Sequence, residues 1–339
     1  MSREPRPRGV TARDIADASG VSVATVSYVL SGREGVRISE QTRQRVLDTA
    51  RRIGYRRNSL AAALRKGRMH TVGIVCSSFT RNTPAASRYA YVKDLMLALT
   101  FAAARDGLTA VLFIDKPVDQ LKPEEIADRR VDGAILFNMY GQGEWVQAVG
   151  ATGLPCVEIG SGYGPYQVHA DNEGGAHAAV EHLVGLGHRR IGHWRGPESV
   201  PSANQRVQGF RDAVRAAGIP ESESPIVSEG REFAEMLRRP DCPTAFFLNN
   251  DERAVEALDR MHAAGLQAPR DLSLVGFDND LRAQTVRPQL TTVQNPLDAM
   301  ADAAVHLIQA QVAGEEIPAP RVVVPTHLVI RDSTAPPLR

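Results

Sequence analysis

Apolar residues recur at helical spacing near the start of the chain. Thr11 and Asp14 have the spacing of a capping box, in which each side chain bonds the backbone N–H of the other, so a helix is predicted to begin after Thr11. Gly20 is predicted to end this helix, because glycine enters the left-handed conformation at little steric cost. The apolar residues predicted on its inner face are Ile15, Ala16 and Ala18.

A second helix is predicted after a turn of about three residues, the separation typical of a helix-turn-helix. Ser22 is a favourable N-cap for this helix. Val26, Val29 and Leu30 follow at spacings of three and four residues, which place them on one buried face. The residues left pointing outward near its start are Val23, Ala24, Ser27 and Tyr28.

This small and uncharged outward face suits a helix that enters the major groove of DNA. The groove is about 12 Å wide, so small side chains in the first turn let the backbone approach the base edges. The alternative interpretation is an ordinary helical hairpin with a solvated face. A third predicted helix, residues 39–53, carries arginines that could contact the phosphate backbone: Arg43, Arg45, Arg51 and Arg52.

Beyond residue 70 the pattern changes to short apolar runs that alternate with helical patterns. Runs such as TVGIVCS and DLSLVGFD are separated by segments such as residues 92–105 and 252–264. This alternation predicts βαβ units, and therefore parallel, doubly wound sheets with helices on both faces. The number of units favours two α/β domains over one. Ligands bind such sheets at the carboxyl ends of the strands.

The charge is distributed unevenly along the chain. Residues 1–68 contain 15 Arg and Lys but 6 Asp and Glu, a net charge of +9, and the whole-chain charge of +1 leaves −8 on the remainder. A basic head on an acidic body indicates that the head binds a polyanion. The cysteines, Cys76, Cys156 and Cys242, are odd in number and far apart, which favours reduced thiols over disulfides or a zinc site.

The stretches VTARDIADASGVSVATVSYVLSG and RISEQTRQRVLDTARRIGY resemble the DNA-binding head of the lactose and galactose repressor family of bacterial transcription regulators. The resemblance implies that Val23 and Ala24 read bases at the start of the recognition helix and that Tyr28 does so further along it. The side chains of Val and Ala are poor hydrogen-bonding partners for bases, so the residues at these positions do not predict the operator sequence. The residues of the head predicted to contact DNA are Thr11, Ser22, Val23, Ala24, Thr25, Ser27 and Tyr28.

The next segment, RRNSLAAALRKGR, stands where members of this family carry a hinge helix that folds on DNA. The resemblance implies that Leu64 inserts into the minor groove, that Ala61 packs beside its twin in a dimer, and that Asn58 also contacts DNA. Arg57 stands where a proline is common and Ala62 where an arginine is common, which changes the expected stiffness and phosphate contacts of the hinge. The alternative is a flexible, alanine-rich linker.

The resemblance extends through VHADNEGGAHAAVEHLVGLGHRRIGHWRGP, RVQGFRDAVRAAGI and LSLVGFDND to the effector-binding core of the same family, which is built like a periplasmic sugar-binding protein. The implied fold class is α/β, with a helix-turn-helix head and two doubly wound parallel-sheet subdomains. Arg, Asn and Asp together offer donors and acceptors that suit vicinal hydroxyls, although a surface ion pair or a helix cap is the alternative. The predicted effector-binding residues are Tyr91, Arg206, Asn250 and Asp278.

The resemblance also implies the domain boundaries. A DNA-binding domain is expected at residues 9–57, a hinge at residues 58–68, and an effector-binding and dimerisation domain at residues 69–334. The chain is expected to cross between the two subdomains near residues 164, 293 and 321.

One region departs from the family pattern. After the first strand, the chain reads CSSFTRNTPAASRYAYVKD in place of the family's Asp-x-x-Asn-Pro-Phe-Phe turn. The aromatic residues shift to Phe79, Tyr89 and Tyr91, of which Tyr91 aligns best with a residue that faces the ligand. Arg81 and Arg88 lie close by in sequence and would suit a phosphorylated or acidic ligand, or are solvated.

These features predict a sequence-specific DNA-binding regulator, a homodimeric repressor that a small sugar-like effector releases from double-stranded operator DNA. The alternative is a corepressor-dependent or activating member of the family with an anionic or non-sugar ligand. A solute-binding protein would need a signal peptide, and an α/β enzyme would need a motif such as G-x-S-x-G or a P-loop; the sequence contains neither. No cofactor, metal site or membrane partner is predicted, and the cytoplasm, at the nucleoid, is the expected location.

Overall fold

The computed structural model describes residues 10–31, 35–55, 67–77 and 90–338. The chain divides into two compact units, Met1–Gly67 and Arg68–Arg339, named the N-terminal unit and the C-terminal unit. Among the helices in the described ranges, none is both long enough and apolar enough to cross a membrane.

Within its described residues, the N-terminal unit contains the helices α1 (Ala12–Ser19), α2 (Val23–Ser31) and α3 (Glu40–Arg52). All three helices contribute apolar side chains to one small core. Its buried members are Ile15, Ala16, Val26, Val29, Val46 and Ala50. The predicted helix-turn-helix is therefore confirmed.

The helix starts are fixed by the predicted caps. The backbone N–H and the hydroxyl of Thr11 both donate to the Asp14 carboxylate at 2.7 Å, and the Asp14 N–H donates to the Thr11 hydroxyl at 3.4 Å, which completes the capping box. Ser22 Oγ accepts the Thr25 N–H at 3.1 Å at the start of α2. Gly20 ends α1 with a φ of +67°, the left-handed conformation that glycine allows.

The inner face of α1 differs from the prediction at one position. Ala18 is exposed, and Ser19 is buried in its place. Ser19 lies one turn beyond Ile15 on the inner face, and its hydroxyl donates to the Ile15 carbonyl at 2.6 Å. This hydrogen bond satisfies the polar group, so a serine can occupy a buried position that an apolar residue was expected to fill.

The C-terminal unit contains two subdomains, each built on a six-stranded sheet. In chain order, the elements of the first subdomain are β1 (Thr71–Cys76), α4 (Ala90–Arg105), β2 (Thr109–Phe113), α5 (Pro123–Ile126), β3 (Gly133–Phe137), α6 (Gly143–Ala151), β4 (Cys156–Ile159), β5 (Gln167–Ala170), α12 (Leu297–Ala313) and β11 (Arg321–Val324). The strand order is β11-β5-β4-β3-β1-β2, and every pairing is parallel. Helices α4 and α12 pack on one face of this sheet, and α5 and α6 pack on the other.

The second subdomain repeats this arrangement. Its elements are α7 (Asn172–Gly185), β6 (Ile191–Trp194), α8 (Pro201–Ala216), β7 (Ile226–Val227), α9 (Gly230–Met236), β8 (Ala245–Leu248), α10 (Asp251–Ala263), β9 (Ser273–Asp278), α11 (Leu281–Thr285), β10 (Thr291–Gln294) and β12 (His327–Val329). The strand order is β12-β10-β9-β8-β6-β7, with only the β10–β12 pairing antiparallel. The predicted class, two doubly wound subdomains and a helix-turn-helix head, is confirmed.

The chain crosses between the subdomains after β5, after β10, and between β11 and β12. The first crossing follows Ala170, so the expected position near residue 164 is too early, because Gln167–Ala170 still pairs with β4 and β11. The second crossing is at Asn295, close to the expected residue 293. The third follows Val324, later than the expected residue 321, because all of β11 pairs with β5.

The close packing of α7 on α8 depends on a glycine, which generates a prediction about stability. A Cβ atom added at Gly209 would lie 2.2 Å from the carbonyl oxygen of Glu173. Gly209→Ala is therefore expected to force the helices apart and to lower the free energy of unfolding by about 1 to 3 kcal/mol. Urea denaturation followed by circular dichroism measures this change.

Gly185→Ala is the matched control, because Gly185 ends α7 with no atom within 4 Å of the added Cβ. That substitution should leave the stability unchanged or raise it by up to about 1 kcal/mol, since alanine restricts the unfolded chain. Equal stability of the two variants would contradict the close-packing account.

Candidate functional site

The outward face of α2 is small and uncharged. Val23 is 44% exposed, Ala24 is also exposed, and the opposite face of the helix packs into the core. Ser27 and Tyr28 lie one turn further along the same outward face, because residues four apart are neighbours on a helix. The structure therefore brings four of the predicted DNA contacts together on one surface.

The other three predicted contacts of the head belong to helix caps in the structure, two as the capping residue and Thr25 as the partner of one. Thr11 caps α1, and Ser22 caps α2. The hydroxyls of Ser22 and Thr25 lie 2.9 Å apart and share a hydrogen bond. These contacts hold the starts of the two helices in place, and contact of the same residues with DNA stays a prediction.

Two arginines of α3 form weak ion pairs within the helix. Arg43 lies 3.7 Å from Glu40, and Arg51 lies 3.3 Å from Asp48. Arg52 is also exposed. Because solvent screens exposed pairs, such contacts contribute little to stability, and the arginines can exchange their carboxylate partners for phosphates.

The predicted hinge contacts Asn58, Ala61 and Leu64 lie outside the described residues. The same holds for Arg81 and Arg88, the cations that would suit an acidic ligand. The roles of these five residues stay predictions.

A cavity of about 230 Å³ lies where the carboxyl ends of the strands of both sheets face each other. The four predicted effector residues all line it: Tyr91 from the first subdomain, and Arg206, Asn250 and Asp278 from the second. Ligand pockets for drug-sized molecules begin at roughly 300 Å³, and this cavity is somewhat smaller. Its location agrees with the rule that open α/β sheets bind ligands beyond the carboxyl ends of their strands.

Hydrogen bonds, an ion pair and a ring contact fix the Arg206 side chain at this cavity, and the residue is only 6% exposed. Its Nε donates to Asn172 Oδ1 at 3.0 Å, and its Nη1 donates to the backbone carbonyl of Asn249. Its Nη2 lies 3.6 Å from Asp278 Oδ1, and its Cζ stacks 3.6 Å from the ring centre of Phe277. Burial lowers the pKa of the guanidinium, and the Asp278 carboxylate opposes that shift.

Asp278 ends β9 with a φ of +102°, a conformation that is strained for a residue with a side chain. Two contacts hold it there. Asn295 Nδ2 donates to Asp278 Oδ1 at 3.2 Å, and the Asp251 carboxylate accepts the Asp280 N–H at 2.9 Å, which fixes the turn after the strand. Burial raises the pKa of Asp278, whereas Arg206 opposes the rise. Burial also raises the pKa of Asp251 well above its usual range.

Asn250 and Tyr91 complete the predicted set. Asn250 Oδ1 accepts the Arg253 N–H at 3.0 Å, so this residue caps α10 while it lines the cavity. Tyr91 lies in the first turn of α4. Burial of its hydroxyl raises the pKa of Tyr91 well above its ordinary value, and the nearby Tyr140 and Asp278 raise it further. Tyr91 therefore faces the ion pair from the other subdomain.

Two further residues line the cavity from opposite subdomains. Tyr140 follows β3 in the first subdomain, and Ser202 lies in the first turn of α8 in the second. Burial raises the pKa of Tyr140 to about 12, and the nearby Ser202 hydroxyl opposes that rise. Sequence reasoning missed both residues.

Sequence reasoning also missed three asparagines that line the cavity: Asn172, Asn249 and Asn295. Each lies within two residues of the carboxyl end of a strand, so the positional rule for open α/β sheets could have found them. A metal site is a separate question. In the described ranges, no group of three or more His, Cys, Asp or Glu side chains is arranged to hold a metal ion.

Two regions of the chain match known protein families. Residues 11–58 match the family described as "Bacterial regulatory proteins, lacI family". Residues 180–334 match the "Periplasmic binding protein-like domain". The first match covers the helix-turn-helix, and the second covers most of the second subdomain together with α12.

Curated relatives match over nearly the full length. The chain is 30% identical to the HTH-type transcriptional regulator CelR of Thermobifida fusca, over 98% of this chain and 100% of that protein. It is 30% identical to catabolite control protein A of Priestia megaterium, over 96% of this chain and 99% of that protein. It is 28% identical to the repressor CytR of Escherichia coli K12, over 98% and 99%.

Solved structures agree with these matches. The lac repressor dimer bound to operator and the anti-inducer ONPF superimposes with a TM-score of 0.82 at 25% identity, covering 97% of this chain and 100% of that one. The complex of the transcriptional regulator CelR with cellobiose superimposes with a TM-score of 0.68 at 28% identity, covering 96% and 99%. The resemblance seen in the sequence is thus confirmed, and the chain belongs to the lacI family of bacterial regulatory proteins, which are DNA-binding transcription regulators.

Proposed function

We propose that this regulator is a homodimeric repressor that binds a pseudo-palindromic operator and is released from it by a small, neutral, sugar-like effector. The observation that carries the proposal is the cavity in the C-terminal unit, where the Arg206–Asp278 pair of one subdomain faces Tyr91 and Tyr140 of the other. A ligand in this position contacts both subdomains at once.

In the DNA-bound state, Val23, Ala24 and Tyr28 contact base edges in the major groove. Val23 and Ala24 are exposed on one face of α2, Tyr28 is half-buried on the same face, and none of the three is charged, which supports this assignment. Ser27 contributes to the same surface. The capping residues Thr11 and Ser22, together with Thr25, which hydrogen-bonds to Ser22, place the helix starts near the phosphates. The basic charge of this unit supplies the sequence-independent part of the affinity.

The effector is proposed to be neutral. Among the described residues that line the cavity, Arg206 supplies the positive charge, and Asp278 already matches it. Glu252 adds a negative charge to the lining. An anionic ligand would therefore meet no unmatched cation in this part of the chain, whereas hydroxyl groups would find both donors and acceptors. The related regulator CelR has been solved with cellobiose, a neutral sugar.

A homodimer is proposed because large apolar side chains are exposed near one groove. Leu97 and Phe101 on α4 are 54% and 55% exposed, and both line a groove together with Asp280. Leu281, the next residue along the chain, is 73% exposed. Contiguous exposed apolar surface of this kind marks interaction sites, and a second copy of the chain is the partner that two-fold operator symmetry requires.

Release of DNA follows from linkage between the two sites. An effector that contacts both subdomains favours one subdomain arrangement over the other. In the dimer this arrangement sets the spacing of the two hinges, and hinges too far apart cannot both fold into one minor groove. The effector then weakens operator binding, and the operator weakens effector binding by the same factor.

The proposed domain boundaries are those implied by the resemblance: residues 9–57 for the DNA-binding domain, residues 58–68 for the hinge and residues 69–334 for the effector-binding and dimerisation domain. Because its DNA partner is the bacterial chromosome, the protein is proposed to act in the cytoplasm, at the nucleoid.

Substitutions in the head should separate base reading from phosphate contact. Tyr28→Ala is expected to reduce discrimination between operator and random DNA by about 1 to 3 kcal/mol, because it removes a base contact. Arg52→Ala is expected to weaken both DNAs alike and to reduce the slope of log affinity against log salt by about 1. Fluorescence anisotropy over a salt series measures both quantities. Salt-independent binding, or unchanged discrimination by Tyr28→Ala, would refute the assignment.

Leu64 should bend the operator. Inserting an apolar side chain between base steps costs unstacking energy that only a specific, bent complex recovers, so Leu64→Ala should lower operator affinity more than affinity for random DNA. Circular-permutation gel shifts measure the bend directly. Equal bending by wild type and Leu64→Ala would show that another residue forms the wedge.

Loss of Arg206 should uncouple the effector from DNA. Arg206→Ala is expected to retain operator binding, which also shows that the variant folds, but to lose release by a panel of neutral sugars that includes cellobiose. Arg215→Ala, an exposed arginine further along α8, is the matched control and should respond like wild type. An effector response that survives in Arg206→Ala, or a sugar that tightens operator binding, would contradict the proposed mechanism.

A further inference from the structure

A buried carboxylate organises the loop that follows β4, named the Glu158 loop and comprising residues 160–163. Glu158 is only 1% exposed. Its Oε1 accepts the Ser161 N–H at 2.7 Å, and its Oε2 accepts the N–H groups of Gly162 at 2.5 Å and Tyr163 at 3.2 Å. Burying a charge is costly, and charge-assisted hydrogen bonds offset that cost. The carboxylate therefore holds the loop in one conformation.

Glycines let the loop wrap around the carboxylate. Gly160 and Gly162 have φ values of +87° and +85°, the left-handed region that glycine enters at little cost. A third glycine seats the end of the loop, because a Cβ atom added at Gly143 would lie 3.1 Å from the Tyr163 ring. The Tyr163 ring thus lies directly against the first residue of α6.

The Glu158 loop holds the backbone on both sides of Tyr140. Ser161 Oγ accepts the Met139 N–H at 2.9 Å, and the Tyr163 hydroxyl accepts the Gly141 N–H at 3.2 Å. Tyr140 lies between these two anchored peptide groups, and it lines the effector cavity. The position of Tyr140 therefore depends on side chains of a neighbouring loop.

The segment that carries Tyr140 needs such support. It leaves β3 through Asn138, whose φ of +58° is left-handed and costs energy for a residue with a side chain. The Asn138 carbonyl accepts the Ser77 hydroxyl, which anchors this end of the segment to the end of β1. A conformation of this kind persists only where surrounding groups hold it, and the Glu158 loop supplies the remaining anchors.

We propose that Glu158 is a positioning residue of the effector site, which acts through Ser161 and Tyr163 to fix Tyr140 in the cavity wall of the first subdomain. Without these anchors Tyr140 would sample several positions, and ordering it on binding would cost the effector affinity. This inference rests on the proposed function, and it concerns the support behind the cavity wall and not the groups that recognise the ligand.

Fluorine NMR of the full-length protein labelled with 3-fluorotyrosine tests the positioning step without an effector. Tyr140→Phe identifies the Tyr140 resonance among those of the seven tyrosines. Tyr163→Phe keeps the ring and removes only the hydroxyl, so the Tyr140 resonance is expected to shift or broaden. Tyr166→Phe is the matched control, since this ring packs against the core of the first subdomain, and it should leave the resonance in place.

Glu158→Gln tests the carboxylate itself. The variant has nearly the same volume, but its amide nitrogen cannot accept the N–H groups that the second carboxylate oxygen binds. The Tyr140 resonance is expected to shift in this variant as well. A Tyr140 resonance that stays unchanged in Glu158→Gln or in Tyr163→Phe would overturn the inference.

Effector affinity shows whether the position of Tyr140 matters to the site. For the neutral sugar that wild type binds most tightly, Tyr163→Phe is expected to weaken binding roughly three- to tenfold, the effect of one lost hydrogen bond, and to leave operator affinity without sugar unchanged. In a Tyr140→Ala background, Tyr163→Phe should cause no further loss, because it acts through Tyr140. Unchanged sugar affinity in Tyr163→Phe, or additive losses in the double variant, would overturn the inference.

The two proposals fail in different ways. If no neutral sugar binds to wild type, the sugar effector is wrong, whereas the fluorine spectra still decide whether the Glu158 loop positions Tyr140. If a sugar binds to wild type and the Tyr140 resonance stays unchanged in both variants, the inference alone is wrong.

Discussion

The buried ion pair between Arg206 and Asp278 is the interaction on which the effector site depends. Burying two charges costs desolvation energy that packed apolar residues would avoid, so stability alone does not account for the pair. Its surroundings instead fix both charges in position. Asn172 and the Asn249 carbonyl orient the guanidinium, and Asn295 orients the carboxylate. The Arg206–Asp278 pair, named the clamp, is therefore rigidly positioned. Binding to groups that are already ordered costs a ligand less free energy.

The clamp belongs to one subdomain, whereas Tyr91 and Tyr140 reach the cavity from the other. A ligand between them contacts both subdomains, so its affinity depends on how the subdomains are arranged. The crossing segments are tied together, since the Asp171 N–H donates to the Val324 carbonyl at 2.9 Å and the Thr326 hydroxyl donates to the Asp171 carbonyl at 3.0 Å. These two bonds join the first crossing to the third, so we expect the two segments to move together when the subdomains rearrange.

The sequence was informative where a local rule decides the structure. The caps Thr11 and Ser22 and the apolar runs of β1 and β9 depend on neighbours in the chain, and the structure confirms them. Short strands such as β7 and β11 were missed because their pairing comes from the sheet and not from their own pattern. Tyr91, Arg206, Asn250 and Asp278, which family resemblance implied as effector-binding residues, line one cavity, and their contact with an effector stays a prediction. The positions of Asn172, Asn249 and Asn295 in the cavity lining were not predicted, because only the folded contacts show which polar side chains meet there.

The central claim is that one ligand bridges the two subdomains and is linked to DNA through them. A complete thermodynamic cycle tests it most directly, in which the Kd of the neutral sugar that this protein binds most tightly is measured for free and operator-bound protein, and the Kd of the operator is measured with and without that sugar. The account predicts that operator-bound protein binds the sugar more weakly, by the same factor by which the sugar weakens operator binding, between about 5- and 150-fold. Equal affinity of the sugar for free and operator-bound protein would contradict it.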